Sequence, residues 1–130
     1  MPKYALIDTT NLGPLTKLKI AKPGGDETEF ATPSGFLDTG SPCTYIPKEV
    51  IEDLGLSPIG RARVTTVAGE ARCVHVYAVD ITMVGPEFHR RAFTGWRVLS
   101  TGLDKAVIGR DILQHFVMIF DGPAQEWRVG

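Results

Sequence analysis

Short apolar runs separated by turn-forming residues extend along the whole chain, a pattern typical of a β protein. Residues 16–20 alternate polar and apolar side chains, which is the period of a half-buried strand. Residues 64–67 and 74–79 flank a short segment that contains Gly69, so they predict a hairpin with a glycine at its tip. Further strands are predicted from the same signals at 96–99, 106–108, 117–120 and 126–129.

Helix signals are few. Residues 47–55 predict one short helix, with Pro47 at its first position and Gly55 as its stop. A second short helix is predicted from about residue 109 to residue 115. Because the chain has no internal repeat, low-complexity segment or linker, residues 1–130 are expected to form a single domain that is mostly β, with one or two short helices.

Length, composition and net charge limit the kinds of partner that the protein is expected to have. A length of 130 residues suits one domain, and a formal net charge of −1 gives no reason to expect nucleic acid or an anionic membrane surface. No apolar run is long enough to span a bilayer, and no secretory signal is visible, so a cytoplasmic protein is expected. Cys43 and Cys73 are expected to be free thiols. No Cys/His spacing indicates a metal site, so no metal and no cofactor is expected.

The most informative segment is residues 35–41, where an apolar strand ends in Asp38, Thr39 and Gly40. Such a strand end can hold a carboxylate at the bottom of a cleft. Gly40 lets another backbone approach and leaves its amide free to face the carboxylate. The hydroxyl of Thr39 can brace the loop by hydrogen bonds. Because Asp, Gly and Ser all favour turns, the segment taken alone is equally compatible with an ordinary turn.

A second segment, residues 106–113, runs from an apolar strand into Gly109, Arg110 and Asp111 before an apolar helix start. By itself this is a generic strand-to-helix junction. In this order, and on either side of the predicted hairpin, the two segments together resemble the retropepsin family of retroviral-type aspartic proteases. The resemblance extends over about residues 35–121, which is most of the chain.

The resemblance implies a closed β-barrel-like domain in which the two segments meet near a cleft. It makes Asp38, Thr39 and Gly40 the catalytic loop, and the segment beginning at Gly109 its structural support. In this family two carboxylates share one proton and activate the water that attacks a peptide carbonyl. Two like charges about 3 Å apart cannot both ionise, so one carboxylate acts as base and its protonated partner as acid.

The predicted hairpin has a role in the same resemblance. It corresponds to a flap that closes over an extended peptide and excludes water, and glycine would give its tip mobility. The residues expected to contact the substrate are those at its tip: Val67, Ala68, Gly69 and Glu70.

The chain contains only one loop of this kind. Asp8 and Thr9 also follow apolar residues, but Thr10 stands where glycine is required, and the segment is too close to Asp38 to begin a second lobe. The second carboxylate is therefore expected from a second chain, with Asp38 facing its own copy in a homodimer. The expected activity is that of an aspartic endopeptidase acting on peptides or proteins. Residues 126–129 are candidates for a terminal strand at the dimer interface.

Two residues depart from the pattern of many viral retropepsins. Pro42, followed by Cys43, stands where an acidic residue usually pairs with the arginine of the helix. The partner of Arg110 is therefore open: Asp111, another acid, or none. The alternative function is a catalytically silent retropepsin-like module that binds peptides or assembles a complex. The intact loop at Asp38 favours the protease, since such a module has no need of it.

Overall fold

The computed structural model describes residues 4–7, 10–25, 28–65 and 68–130, with the backbone alone for 4–7 and 10–12. In these residues the protein is mostly β, with short helices and a 3-10 turn at Pro86–Phe88. The strands and helices in chain order are β1 (Tyr4–Ile7), β2 (Thr10–Ala21), β3 (Phe30–Ala31), β4 (Ser34–Leu37), β5 (Tyr45–Pro47), α1 (Lys48–Asp53), β6 (Gly60–Thr65), β7 (Ala71–Met83), β8 (Ala92–Thr101), β9 (Ala106–Ile108), α2 (Arg110–Leu113), β10 (Met118–Asp121) and β11 (Glu126–Val129).

These elements confirm most of the predicted strands. β9 and β11 have the predicted bounds, whereas β7 and β8 extend well beyond the predicted segments. The first helix begins one residue later than predicted. Pro47 precedes it as the N-cap with ψ of 134°, because its backbone still belongs to β5 and is paired with Thr101. α2 ends at Leu113, short of the predicted residue 115.

Most strands form one sheet of nine strands. Its order is β1-β2-β4-β9-β5-β8-β7-β6, with β3 beside β2. β2 pairs with β4 through residues 15–17 and with β7 through residues 18–21, so the pairings lead back to the strand from which they start. β10 and β11 form a separate antiparallel pair.

The parallel pairing of β4 with β9 positions the candidate site. Its register aligns Leu37 with Ile108, so both strands end at the same edge of the sheet. Asp38 and Gly109 are the next residues of the two strands, and the amide of Asp38 donates a hydrogen bond of 2.9 Å to the carbonyl of Ile108. The two segments that sequence reasoning selected therefore begin side by side.

The main core contains side chains from several strands of this sheet and from both helices. It contains fully buried side chains from β2, β7 and β9, such as Leu18, Ile20, Ile81 and Ile108, and α2 packs on it through Ile112. Burying a side chain of this size stabilises the fold by about 1.5–3 kcal/mol. The core thus fixes the strands whose ends carry the candidate site.

Candidate active site

The loop after β4 holds Asp38 in an exposed position on the single chain. The amide of Gly40 donates a hydrogen bond of 2.9 Å to Oδ1 of Asp38, and the amide of Ser41 donates to its carbonyl at 3.2 Å. The side chain is thus oriented by its own loop. A carboxylate held in this way is available to a water molecule or to a second carboxylate.

Gly109 permits the close packing of the two loops. A Cβ atom at this position would lie 2.3 Å from the carbonyl oxygen of Cys43 and 2.8 Å from that of Ser41. Atoms at these distances overlap, and both are backbone oxygens that cannot rotate away. Only glycine therefore allows the second segment to cross the loop that carries Asp38.

Arg110 fastens the same loop from the other segment. Its guanidinium Nη1 donates a hydrogen bond of 2.8 Å to the carbonyl of Thr39, and its amide donates one of 2.8 Å to the carbonyl of Ser41. Within the described residues, the side chain of Arg110 pairs neither with Asp111 nor with another acid, the two kinds of acidic partner that the sequence left open. The arginine instead holds the backbone beside Asp38, a contact that needs no acid at the position of Pro42.

Asp111 is the centre of a hydrogen-bond network. Its carboxylate accepts bonds from the amide and hydroxyl of Thr44 at 3.2 and 2.8 Å, and from Nε1 of Trp96 at 3.0 Å. The amide of Ile112 donates a further bond of 3.0 Å to it. The hydroxyl of the fully buried Thr44 in turn accepts a bond from the amide of Gly109. Asp111 therefore joins α2, β8 and the segment that follows the loop at Asp38.

We expect Asp111→Ala to lower the free energy of unfolding by about 2 kcal/mol, because it leaves the donors of Thr44 and Trp96 without their acceptor. Chemical denaturation measures this loss. The matched control is Asp104→Ala, since Asp104 is exposed and contacts only Lys105 at 3.3 Å within the described residues. Equal stability of the two variants would contradict the structural role of Asp111.

The strands β6 and β7 form an antiparallel hairpin, as the sequence predicts. It is paired from Gly60 opposite Val76 to Thr65 opposite Ala71. Ala68, Gly69 and Glu70 are exposed at its tip, and Gly69 has a φ of +85°, which favours glycine. Val67, also predicted to belong to the tip, lies outside the described residues.

Cys43 follows the loop at Asp38 and is half-buried as a free thiol. Burial, and then the negative charge of Asp111, raise the pKa of this thiol, so it is uncharged at neutral pH. Burial likewise raises the pKa of the Tyr45 hydroxyl, which interacts with the thiol. Cys73, also free, is exposed on the hairpin.

Two general features concern the described residues only. His, Cys, Asp and Glu side chains in this part of the chain do not gather in groups of three or more that could hold a metal ion. None of its helices has the length and hydropathy needed to cross a membrane.

The fold is that of retroviral proteases. EIAV protease in complex with the inhibitor HBY-793 superposes with a TM-score of 0.56 at 19% identity, covering 85% of this chain and 93% of that one. The simian foamy virus (mac) protease gives 0.51 at 18% identity, covering 76% and 92%. The foamy viral protease–reverse transcriptase in complex with an RNA/DNA hybrid gives 0.53 at 21% identity over 79% of this chain. This chain spans only 12% of that longer protein.

The sequence itself gives the family. The family model for aspartyl proteases matches residues 26–112, two thirds of the chain, and the protein belongs to this retropepsin-like family. No curated protein sequence matches it significantly. The family match includes residues 35–41 and residues 106–112.

Sequence reasoning selected Asp38, Gly109 and Arg110 but missed the two residues that complete the network of Asp111. Neither Thr44 nor Trp96 stands out as a site residue in the sequence. A signal for Asp111 existed, since an aspartate in the first turn of a helix commonly accepts backbone amide bonds. Nothing local connects it with Trp96, because that contact depends on how β8 packs against α2.

Proposed function

We propose that the protein is an aspartic endopeptidase whose active site forms between two chains of a homodimer. The observation that carries this proposal is the loop at Asp38: an exposed carboxylate oriented by the amide of Gly40 and fastened by Arg110. Residues 1–130 act as one retropepsin-like domain in this proposal, and the pairings that lead back to β2 support a closed, barrel-like sheet. No cofactor takes part.

The proposed mechanism needs two copies of Asp38. One carboxylate is ionised and takes a proton from the attacking water, while the protonated partner donates a hydrogen bond to the peptide carbonyl. Activity is therefore expected at acidic to mildly acidic pH, where the pair holds one proton. The hairpin tip, Val67 to Glu70, closes over the substrate as a flap.

The separate strand pair β10–β11 supports dimer formation. A two-stranded sheet is marginally stable alone, and within the described residues neither strand pairs with the main sheet. Ile119 in β10 and Val117 just before it are exposed by 37% and 65% although both are apolar. Pairing with the same segment of a second chain would cover these side chains and satisfy the free strand edges.

The test is cleavage of a diverse peptide library between acidic and neutral pH, read by mass spectrometry. We expect discrete cut sites, full inhibition by a statine-type inhibitor of aspartic proteases, and unchanged rates in the presence of a chelator. A folded, dimeric protein that cuts no peptide would contradict the proposal. That result would favour the alternative of a catalytically silent module, and partners would then be sought by peptide binding.

A further inference from the structure

A second apolar group lies outside the main core cluster. Val76 and Leu99 are cross-strand partners that are exposed by only 2% and 5%, yet neither belongs to the core cluster. They line a pocket of about 160 Å³. We call it the outer pocket, and its lining residues are Cys43, Ala62, Val76, Arg97, Val98 and Leu99.

The outer pocket adjoins both the loop at Asp38 and the hairpin of β6 and β7. Cys43 belongs to the loop that follows Asp38, and its carbonyl accepts a hydrogen bond of 2.6 Å from Oγ of Ser41. The amide of Leu99 donates a bond of 3.1 Å to the carbonyl of the residue after Cys43. Ala62 lies on β6, at the base of the hairpin. A peptide that crosses the catalytic loop beneath the hairpin therefore passes this pocket.

The chemistry of the outer pocket is apolar with one cation at its edge. Valine, leucine and alanine side chains line it, and the thiol of Cys43 behaves as a small apolar group. No carboxylate is among its lining residues. Arg97 is exposed, and its side chain lies on the same face as that of Leu99 because the two are separated by one residue in β8.

Arg97 has a guanidinium available for a ligand. Among the residues that the structure describes, it has no recorded ion pair or side-chain hydrogen bond. Asp111 lines a neighbouring hollow together with Arg97. The carboxylate of Asp111, however, already accepts the bonds of Thr44, Trp96 and Ile112. An acidic side chain of an incoming peptide is the complementary partner for the free cation.

We propose that the outer pocket selects peptide substrates that carry an aliphatic residue next to an acidic one, outside the scissile bond. The aliphatic side chain enters the pocket between Ala62 and Leu99, and the acidic side chain pairs with Arg97. This inference rests on the proposed function for its cleavage readout. It assigns Arg97 as a residue that determines specificity.

The test uses random octapeptide libraries in which one position at a time is fixed as Glu, Gln or Lys. The wild-type chain should cleave the preferred Glu library about two- to fivefold faster than its Gln counterpart, the range expected of an exposed ion pair. Arg97→Gln should remove this preference, and Arg97→Glu should reverse it in favour of Lys. The preference should also weaken as the salt concentration rises.

Arg61→Gln is the matched control. Arg61 is exposed on β6 next to Ala62, so its side chain lies on the opposite face of the hairpin. The substitution removes the same charge and should leave the Glu preference unchanged. The inference would be overturned if the Glu preference disappeared in Arg61→Gln but persisted in Arg97→Glu. The preference would then reflect the overall charge and not this pocket.

A binding measurement separates this inference from the proposed catalysis. The same libraries are captured on immobilised Asp38→Asn protein, and on the double variant Asp38→Asn with Arg97→Glu. Wild-type cleavage without any Glu or Lys preference overturns the inference and leaves the proposed function standing. A second outcome is that no peptide is cleaved, but Glu peptides are captured selectively and Arg97→Glu reverses this selectivity. That outcome overturns the proposed catalysis and supports the inference about the outer pocket.

Discussion

Replacing Asp38 with asparagine is expected to lower kcat/KM for peptide cleavage by at least about a thousandfold, because both proton-transfer roles of the shared site are lost. Asparagine has nearly the same shape and keeps an oxygen that can accept the bond from the amide of Gly40. The fold and the dimer should therefore persist. Initial rates on one cleaved peptide measure the loss of activity. Circular dichroism and size-exclusion chromatography of the same sample test whether the fold and the dimer persist.

Asp104→Asn is the control for this substitution. Asp104 is also an exposed aspartate, but it lies in the loop before β9 and contacts Lys105. Its replacement removes one negative charge with no expected effect on kcat/KM. Asp104→Asn should therefore keep the wild-type rate. If Asp38→Asn also retained more than a few per cent of that rate, a different group would have to activate the water.

Gly109→Ala is expected to destabilise the fold by about 3 kcal/mol or more. The added Cβ atom would lie 2.3 Å from one backbone carbonyl oxygen and 2.8 Å from another. The backbone bond between the amide of Arg110 and the carbonyl of Ser41 fixes this crossing, so relief requires separation of the two loops. Urea denaturation should show a lower midpoint, and the remaining folded protein should be impaired in cleavage because Asp38 shifts with its loop.

Gly102→Ala is the matched control for the glycine substitution. A Cβ atom at Gly102 would have no neighbour within 4 Å, and its backbone has no positive φ. Its stability should stay within about 0.5 kcal/mol of the wild type. Similar midpoints for Gly109→Ala and Gly102→Ala would show that the loops do not approach each other as described.

Much of the fold follows from local patterns. Strands such as β9 and β11 are predicted correctly, because alternation or an apolar run of the right length lies between clear turn residues. β5 was not predicted, since its three residues are too short to show a period and owe their conformation to pairing with β8. The same pairing moves the start of α1 beyond Pro47.

The candidate site could likewise be predicted only in part from the sequence. Asp38 and Gly109 stand out because the two segments that carry them occur together, in this order and on either side of the predicted hairpin. The partner of Arg110 could not be deduced, because it is a backbone carbonyl and every residue offers one. The outer pocket was also beyond prediction, since Cys43, Ala62 and Leu99 come together only through the register of three strands.

The shared active site is tested most directly by mixing the wild-type chain with increasing amounts of the Asp38→Asn chain. After the subunits have exchanged, peptide cleavage per wild-type chain is measured. If each site needs Asp38 from both chains, a ninefold excess of the variant should reduce this activity to about a tenth, because most wild-type chains then have an inactive partner. Activity per wild-type chain that stays constant at every ratio would contradict the shared site and assign catalysis to the single chain.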